Sequence, residues 1–145
     1  DHIRLVRKFA LELAEIENAD KYVVDVAATL HDVGKIKGYE NHSEKSYYIS
    51  KEFLETTGIL EANRNLILKC ILKHSSKYAN EENEIEVKII QSADALAVIY
   101  DEKWQKKSNK RFSKIEYQKM LEKTFSKINL ESARMIASRK LEKLL

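Results

Sequence analysis

The chain contains no proline and only three glycines among its 145 residues. Tight hairpin turns depend largely on those two residue types, so a fold built from many short strands is disfavoured. Lysine, glutamate, leucine and alanine, which favour helices, are abundant instead. We therefore expect an all-α fold.

Cysteine is almost absent as well. Since Cys70 is the single cysteine, the chain cannot form an intramolecular disulfide. This indicates a reducing compartment, and we expect a cytoplasmic protein. The chain also lacks an apolar run of membrane-spanning length and a secretory signal pattern. The first apolar stripe begins immediately at His2, which suggests that the natural protein has a further N-terminal segment.

The charge balance is modest, with 26 basic and 23 acidic residues and a net charge of +3. Such a balance suits an anionic substrate but argues against a dedicated nucleic-acid binder. One stretch, "KWQKKSNKRFSK" at 103–114, has six basic residues, two aromatic residues and no acidic residue. A solvated connector is the preferred interpretation of this stretch, with nucleic-acid binding as the alternative.

Apolar residues recur with helical periodicity almost from end to end, which predicts six to seven helices in one domain, residues 1–145. The first helix is predicted to end at about residue 18. The following helices are predicted at about 20–34, 42–56, 61–74, 84–100, 114–127 and 130–144. Asp20, Ser113 and Asn129 are the predicted N-caps. Loops are expected at 34–41 and 75–83, and a polar break at 106–113.

Polar residues with metal-binding chemistry fall on or beside the apolar faces of these helices. Four of them are histidines: His2, His31, His42 and His74. If about 40% of helix positions face inward, four histidines would all do so by chance about once in forty cases. A single inward histidine is usually an ordinary core residue, but the group as a whole indicates a shared site.

Two aspartates strengthen this interpretation. Asp32 directly follows His31 at the end of an apolar helix, and Asp94 lies between Ile90 and Val98, four residues from each. A carboxylate in such a setting is costly to bury unless it is paired or binds a cation. Imidazole nitrogens and carboxylate oxygens together form a ligand set that zinc, manganese, iron, cobalt or nickel accepts. The sequence therefore predicts a divalent metal site between helices.

The order of these residues along the chain resembles the HD superfamily of metal-dependent phosphohydrolases. The resemblance covers nearly the whole chain and implies an all-helical HD domain with a divalent metal between its helices. Its motifs are an N-terminal histidine followed by "HDVGK" (31–35), "NHSEKS" (41–46), "ILKHSSK" (71–77) and "IIQSADAL" (89–96).

Specific roles follow from the resemblance by position. The implied primary metal ligands are His2, His31, Asp32 and Asp94. His42 and His74 match the histidines that bind a second ion in two-metal branches, whereas in one-metal branches these positions contact phosphate or help to activate water. Lys35 matches a lysine beside the substrate's phosphate. The candidate catalytic residues are therefore Asp32, Lys35, His42 and His74.

The implied reaction is hydrolysis of a phosphate ester or anhydride, expected to be that of a nucleotide, by metal-activated water. The implied cofactor is one or two divalent ions per chain, from Mn, Ni, Co, Zn, Fe or Mg. The expected partner is a small phosphorylated molecule, without a membrane partner, and a homo-oligomer is compatible with the sequence.

Two departures from the family leave the substrate open. Small nucleotide-hydrolysing relatives often carry an extra acidic residue where this chain has "SADALAV", and the glycine–tyrosine–proline element of cyclic-dinucleotide phosphodiesterases is absent. Two alternative functions remain: a di-iron HD-type oxygenase, and a non-catalytic module that binds nucleotides or nucleic acid.

Overall fold

The computed structural model describes all 145 residues, which form eight α-helices and no β-strand. The all-α fold class is therefore confirmed. Two 3-10 helices, Val33–Lys37 and Ser76–Tyr78, lie in the connections. The α-helices are α1 (His2–Glu17), α2 (Lys21–Leu30), α3 (His42–Glu55), α4 (Glu61–Leu72), α5 (Ile85–Tyr100), α6 (Glu102–Arg111), α7 (Lys114–Ser126) and α8 (Glu131–Leu144).

The central element is α5, which packs against α1, α2, α4, α6, α7 and α8. Ten of its sixteen residues are buried, in keeping with a helix that is apolar almost all round. Asp94 lies in the middle of this helix and is only partly covered. The most buried helix of the fold therefore carries a carboxylate at the point where the N-terminus of α1 reaches it.

Helix α6 occupies most of the stretch predicted as a polar break. The Asp101 side chain caps this helix by accepting a hydrogen bond from the Trp104 amide at 3.1 Å. The inward face of α6 is polar, since Gln105 and Ser108 are its buried residues. Gln105 donates to the carbonyls of Val98 and Ile99, both at 3.1 Å. Because hydrogen bonds of a buried amide, and not an apolar stripe, attach α6 to α5, apolar periodicity did not predict this helix.

The predicted N-caps divide into two groups. Asp20 and Ser113 cap α2 and α7, accepting from the third backbone amide that follows each of them. The prediction for Asn129 was wrong: α8 begins after Leu130, and the Asn129 amide binds Gln91 of α5 instead. The role of the Asn129 side chain is therefore determined by its contact with α5 and not by its position before a helix.

The buried face of α3 does not include its one phenylalanine, since Phe53 is exposed. Small side chains form most of the face that packs inward, and its members are Ser43, Ser46, Ser50 and Leu54. This face contacts the 3-10 helix that follows the histidine–aspartate pair.

None of the eight helices is both long and apolar enough to cross a membrane.

Gly34 explains why α3 presents small residues there. Helix α2 ends at Leu30, four residues before the predicted end at Gly34, and Gly34 itself lies buried in the 3-10 helix. Its amide donates to the Ser46 hydroxyl at 2.8 Å. A β-carbon at this position would lie 2.6 Å from the His42 carbonyl oxygen and 2.7 Å from Cβ of Lys45. The two segments can approach so closely only because residue 34 has no side chain.

We expect Gly34→Ala to lower the free energy of unfolding by about 1–3 kcal/mol, because the backbone of α3 must move to accommodate the methyl group. Gly58→Ala is the matched control, since nothing lies within 4 Å of the added carbon. It should be neutral or slightly stabilising. Urea unfolding followed by circular dichroism measures both, and equal midpoints for the two variants would contradict the close-packing explanation.

Candidate metal centre

Three elements bring the four predicted primary ligands together. His2 is the first residue of α1, the His31–Asp32 pair directly follows α2, and Asp94 lies at the middle of α5. One ligand atom from each of these residues lies within 4.8 Å of the others. The residues are therefore close enough together to hold one ion.

Asp94 and Asp32 face the imidazoles of this group at short range. Nε2 of His2 lies 2.8 Å from Oδ1 of Asp94 and 3.5 Å from Oδ2 of Asp32. Nε2 of His31 lies 3.2 Å from Oδ2 of Asp32 and 3.4 Å from Oδ1 of Asp94. The four side chains thus direct two nitrogens and two oxygens at a common point.

A second group adjoins the first through Asp32. Its other oxygen, Oδ1, lies 3.5 Å from Nε2 of His42 and 3.5 Å from Nε2 of His74. The three residues again form a cluster that could hold a metal ion. The two predicted extra histidines therefore lie together, and a single carboxylate faces both groups with one oxygen each.

Backbone carbonyls fix the orientation of three imidazoles. Nδ1 of His31 donates to the Ala28 carbonyl at 2.6 Å, and Nδ1 of His74 donates to the Ile71 carbonyl at 2.6 Å. Nδ1 of His42 lies 3.3 Å from the Tyr39 carbonyl, again three residues earlier in the chain. With Nδ1 protonated, the neutral ring carries its lone pair on Nε2, which is the atom facing the carboxylates.

Two further observations fit a cation at this centre. Nε2 of His31 is buried and has no hydrogen-bond partner. Nε2 of His42 and Nε2 of His74 lie only 3.2 Å apart. Two lone pairs at that distance repel each other unless a proton or a metal ion lies near both. The mixed nitrogen and oxygen donors suit a divalent transition metal.

The opposite charges of the centre raise the pKa of His31 and lower the pKa values of Asp32 and Asp94. Burial by itself lowers the pKa of His31, but the nearby carboxylates of Asp32 and Asp94 outweigh it and raise that pKa to about 10. Burial raises the pKa of Asp32, yet its contacts with His31 and His74 hold it far below its usual range. Both carboxylates stay ionised, so the centre favours positive charge.

Part of the centre is open to solvent. The side chains of His31 and His74 are fully buried, whereas those of His2, Asp94 and His42 are 30%, 23% and 28% exposed. Asp94 therefore lies at the rim of the site and not in the core. A small molecule can approach the ligand atoms from this side.

Lys35 lies beside the centre, with Nζ donating to Oδ2 of Asp32 at 2.9 Å. Its side chain is half-buried, so the ammonium group lies at the same rim. Lys77 is different: it is exposed and forms an ion pair with Glu44 at 2.9 Å. Of these two lysines, Lys35 is the one in contact with the centre.

A polar cleft adjoins the second group. It has a volume of about 240 Å³ and contains no hydrophobic lining residue; the lining comprises Asn41, His42, Ser43, Glu44, Ser75, Ser76 and Lys77. Ser43, Ser75 and Ser76 were not among the site residues predicted from the sequence. Their signal was their position directly after His42 and His74. A larger apolar groove of about 680 Å³ lies elsewhere, lined by residues such as Tyr22 and Phe53, and includes none of the predicted ligands.

We expect Asp32→Ala to abolish metal binding, because this carboxylate faces both groups. Asp25→Ala is the control, since Asp25 also lies at α2 but forms an exposed ion pair with Arg7 worth only about 0–1 kcal/mol. Manganese at 100 times its dissociation constant should stabilise the wild type and Asp25→Ala by about 2.7 kcal/mol.

Thermal unfolding with manganese or with a chelator measures this difference. Asp32→Ala should retain its helicity and show no shift with the metal. A metal-dependent shift of wild-type size in Asp32→Ala would contradict the shared role of this carboxylate.

A model of the HD domain family matches residues 1–99. No curated protein sequence matches the chain significantly. The remaining residues, 100–145, comprise α6, α7 and α8 and lie outside the family match.

Several solved structures are similar over almost the whole chain. YpgQ from Bacillus subtilis is 24% identical with a TM-score of 0.75, covering 97% of this chain and 80% of that one. The structure of YpgQ in complex with ADP is 25% identical with a TM-score of 0.73 and the same coverage. An HD-superfamily hydrolase from Bacillus thuringiensis is 21% identical with a TM-score of 0.73, covering 99% and 78%. These likenesses show the fold.

Proposed function

The chain belongs to the HD domain family, and on that premise we propose that it is a metal-dependent phosphohydrolase that cleaves a phosphate ester or anhydride of a nucleotide. The observation that carries the proposal is the convergence of His2, His31, Asp32 and Asp94 on one point. A closed structural site would cover all its ligands, whereas three of the residues around this centre are partly exposed. That opening supports a reactive site.

The primary ion would be held by His2, His31, Asp32 and Asp94, and a second ion by Asp32, His42 and His74. A divalent ion supplies a water of lowered pKa and polarises a phosphoryl oxygen. The protein's own contribution is orientation: the carbonyls of Ala28 and Ile71 hold the rings of His31 and His74 with Nε2 directed inward.

Lys35 would bind the substrate's phosphate. Its ammonium group lies at the open rim, and its only carboxylate partner is Asp32. Positive charge at this place stabilises the negative charge that develops on the phosphoryl oxygens during cleavage. Its role is thus electrostatic.

Three observations support a nucleotide as the substrate. YpgQ, which has the same fold, has a structure in complex with ADP. In the present chain the cleft beside His42 is entirely polar, which suits phosphate and sugar groups better than a base. The exposed ring of Tyr39 lies near Lys35, 5.6 Å from its Nζ, and offers a face on which a base can stack.

The first test is elemental analysis of protein purified without chelator, together with a phosphate-release screen over nucleotides. One or two equivalents of metal and metal-dependent phosphate release support the proposal, and His31→Ala should abolish both while retaining helicity. Two irons without phosphate release would overturn it in favour of oxygen chemistry. Absence of metal, even after soaking in manganese or nickel, would also overturn it.

Lys35→Met should lower kcat/KM for phosphate release by about 10²–10³-fold, the usual cost of removing one group that stabilises transition-state charge. Lys37→Met is the matched control, because Lys37 lies two residues away and is exposed. Metal content should be unchanged in both variants. Equal rates for the two variants would exclude Lys35 from phosphate binding.

A further inference from the structure

A buried amide of α5 holds the loop that follows α4. Gln91 is buried three residues before Asp94, and its Nε2 donates to the Lys73 carbonyl at 2.8 Å and to the Tyr78 carbonyl at 3.3 Å. The two carbonyls lie on either side of residues 74–77. One side chain therefore ties together both ends of the segment that contains His74.

A second amide, from beyond the family match, supports the first. Asn129 lies between α7 and α8, and its Nδ2 donates to Oε1 of Gln91 at 2.6 Å and to the Ala79 carbonyl at 3.3 Å. Its Oδ1 accepts from the Ser92 hydroxyl at 3.0 Å. The two amides thus use all four of their N–H bonds and both of their oxygens.

Residues 74–77, which lie between the Lys73 and Tyr78 carbonyls, contribute to both the metal centre and the polar cleft. His74 directs Nε2 at Asp32, while Ser75, Ser76 and Lys77 form one wall of the polar cleft. The backbone hydrogen bonds within the loop are short-range. The Tyr78 amide donates to the Ser75 carbonyl, and the Ala79 amide donates to the Ser76 carbonyl. Such local bonds define a turn but do not attach it to the rest of the molecule.

We propose that Gln91 and Asn129 are positioning residues that fix the loop 73–79, and with it His74 and one wall of the cleft, against α5. This rests on the proposed function in so far as His74 belongs to the site. It makes the C-terminal helices part of the functional unit, since Asn129 joins them to the loop. Neither residue contacts the ligand atoms directly, so both act through the backbone.

The test uses the full-length chain with two variants and a matched control. Gln91→Met keeps the length of the side chain but removes both donors, and Asn129→Ala removes the outer amide from a half-buried position where folding is less at risk. Gln105→Met is the control, because Gln105 is also a buried glutamine that donates to two backbone carbonyls, at the end of α5 away from the loop.

Hydrogen exchange of the metal-free protein is the first measurement. We expect the amides of Tyr78 and Ala79 to exchange at least about tenfold faster in Gln91→Met and Asn129→Ala, because the loop opens locally without unfolding the core. Gln105→Met should leave these two amides unchanged. Unchanged exchange in both Gln91→Met and Asn129→Ala would overturn the proposal.

Metal titration followed by calorimetry is the second measurement. Loss of an outer partner of a ligand typically weakens metal binding about 10–100-fold, and we expect a loss of this size for manganese in both loop variants but not in Gln105→Met. Faster loop exchange with wild-type manganese affinity would overturn the positioning role.

Phosphate release separates this proposal from the proposed function. If the wild type releases no phosphate while the variants show faster exchange and weaker manganese binding, the positioning role stands and the hydrolase does not. If the wild type is an active hydrolase and the variants match it in loop exchange, the proposed function stands and the positioning role does not.

Discussion

The centre depends on one carboxylate that is shared between two groups of histidines. Asp32 directs Oδ2 at His31 and Oδ1 at His42 and His74. Removing an ionised carboxylate from water is costly, and the cost is offset only where hydrogen-bond donors and positive charge surround it. The surrounding structure supplies these through the ammonium group of Lys35 and through the imidazoles when their Nε2 atoms carry a proton or, in the proposed function, bind a metal ion.

Helix termini make this arrangement possible. The last four carbonyls of a helix have no partner within it, and Ala28 and Ile71 lie in the last turns of α2 and α4. Their carbonyls accept hydrogen bonds from His31 and His74. Each contact satisfies a helix end and at the same time leaves Nε2 free to bind a cation. A histidine just beyond a helix is therefore a stable place for a ligand.

The family match ends at residue 99, but the structural unit does not. Helices α6, α7 and α8 all pack against α5, which carries Asp94. Asn129 extends the contact from the core to the loop that bears His74. The buried Gln91 and Ser92 and the half-buried Asn129 make this link. Such networks tolerate little displacement because an unpaired buried polar group is costly. The C-terminal region thereby becomes a support for the site.

Much of the molecule could be predicted from local information. Helical periodicity and the near absence of glycine and proline indicated the all-α fold, and the caps Asp20 and Ser113 follow from interactions within four residues. The ligand candidates were recognisable because their chemistry conflicts with an apolar helix face. Their proximity in space agrees with that prediction, while their role as ligands stays a prediction until metal is measured.

Contacts between distant segments were decided only by the tertiary structure. Gly34 looked like a helix end, but it is required where α3 approaches within contact distance. Asn129 looked like a cap, but its partner lies 38 residues earlier. Helix α6 has no apolar pattern because amide hydrogen bonds fasten it. Sequence by itself determined which residues repeat on a helix face and which can bind a cation, since both are properties of residue type and spacing. The partner of each polar side chain was determined by folding, because it depends on which surfaces meet.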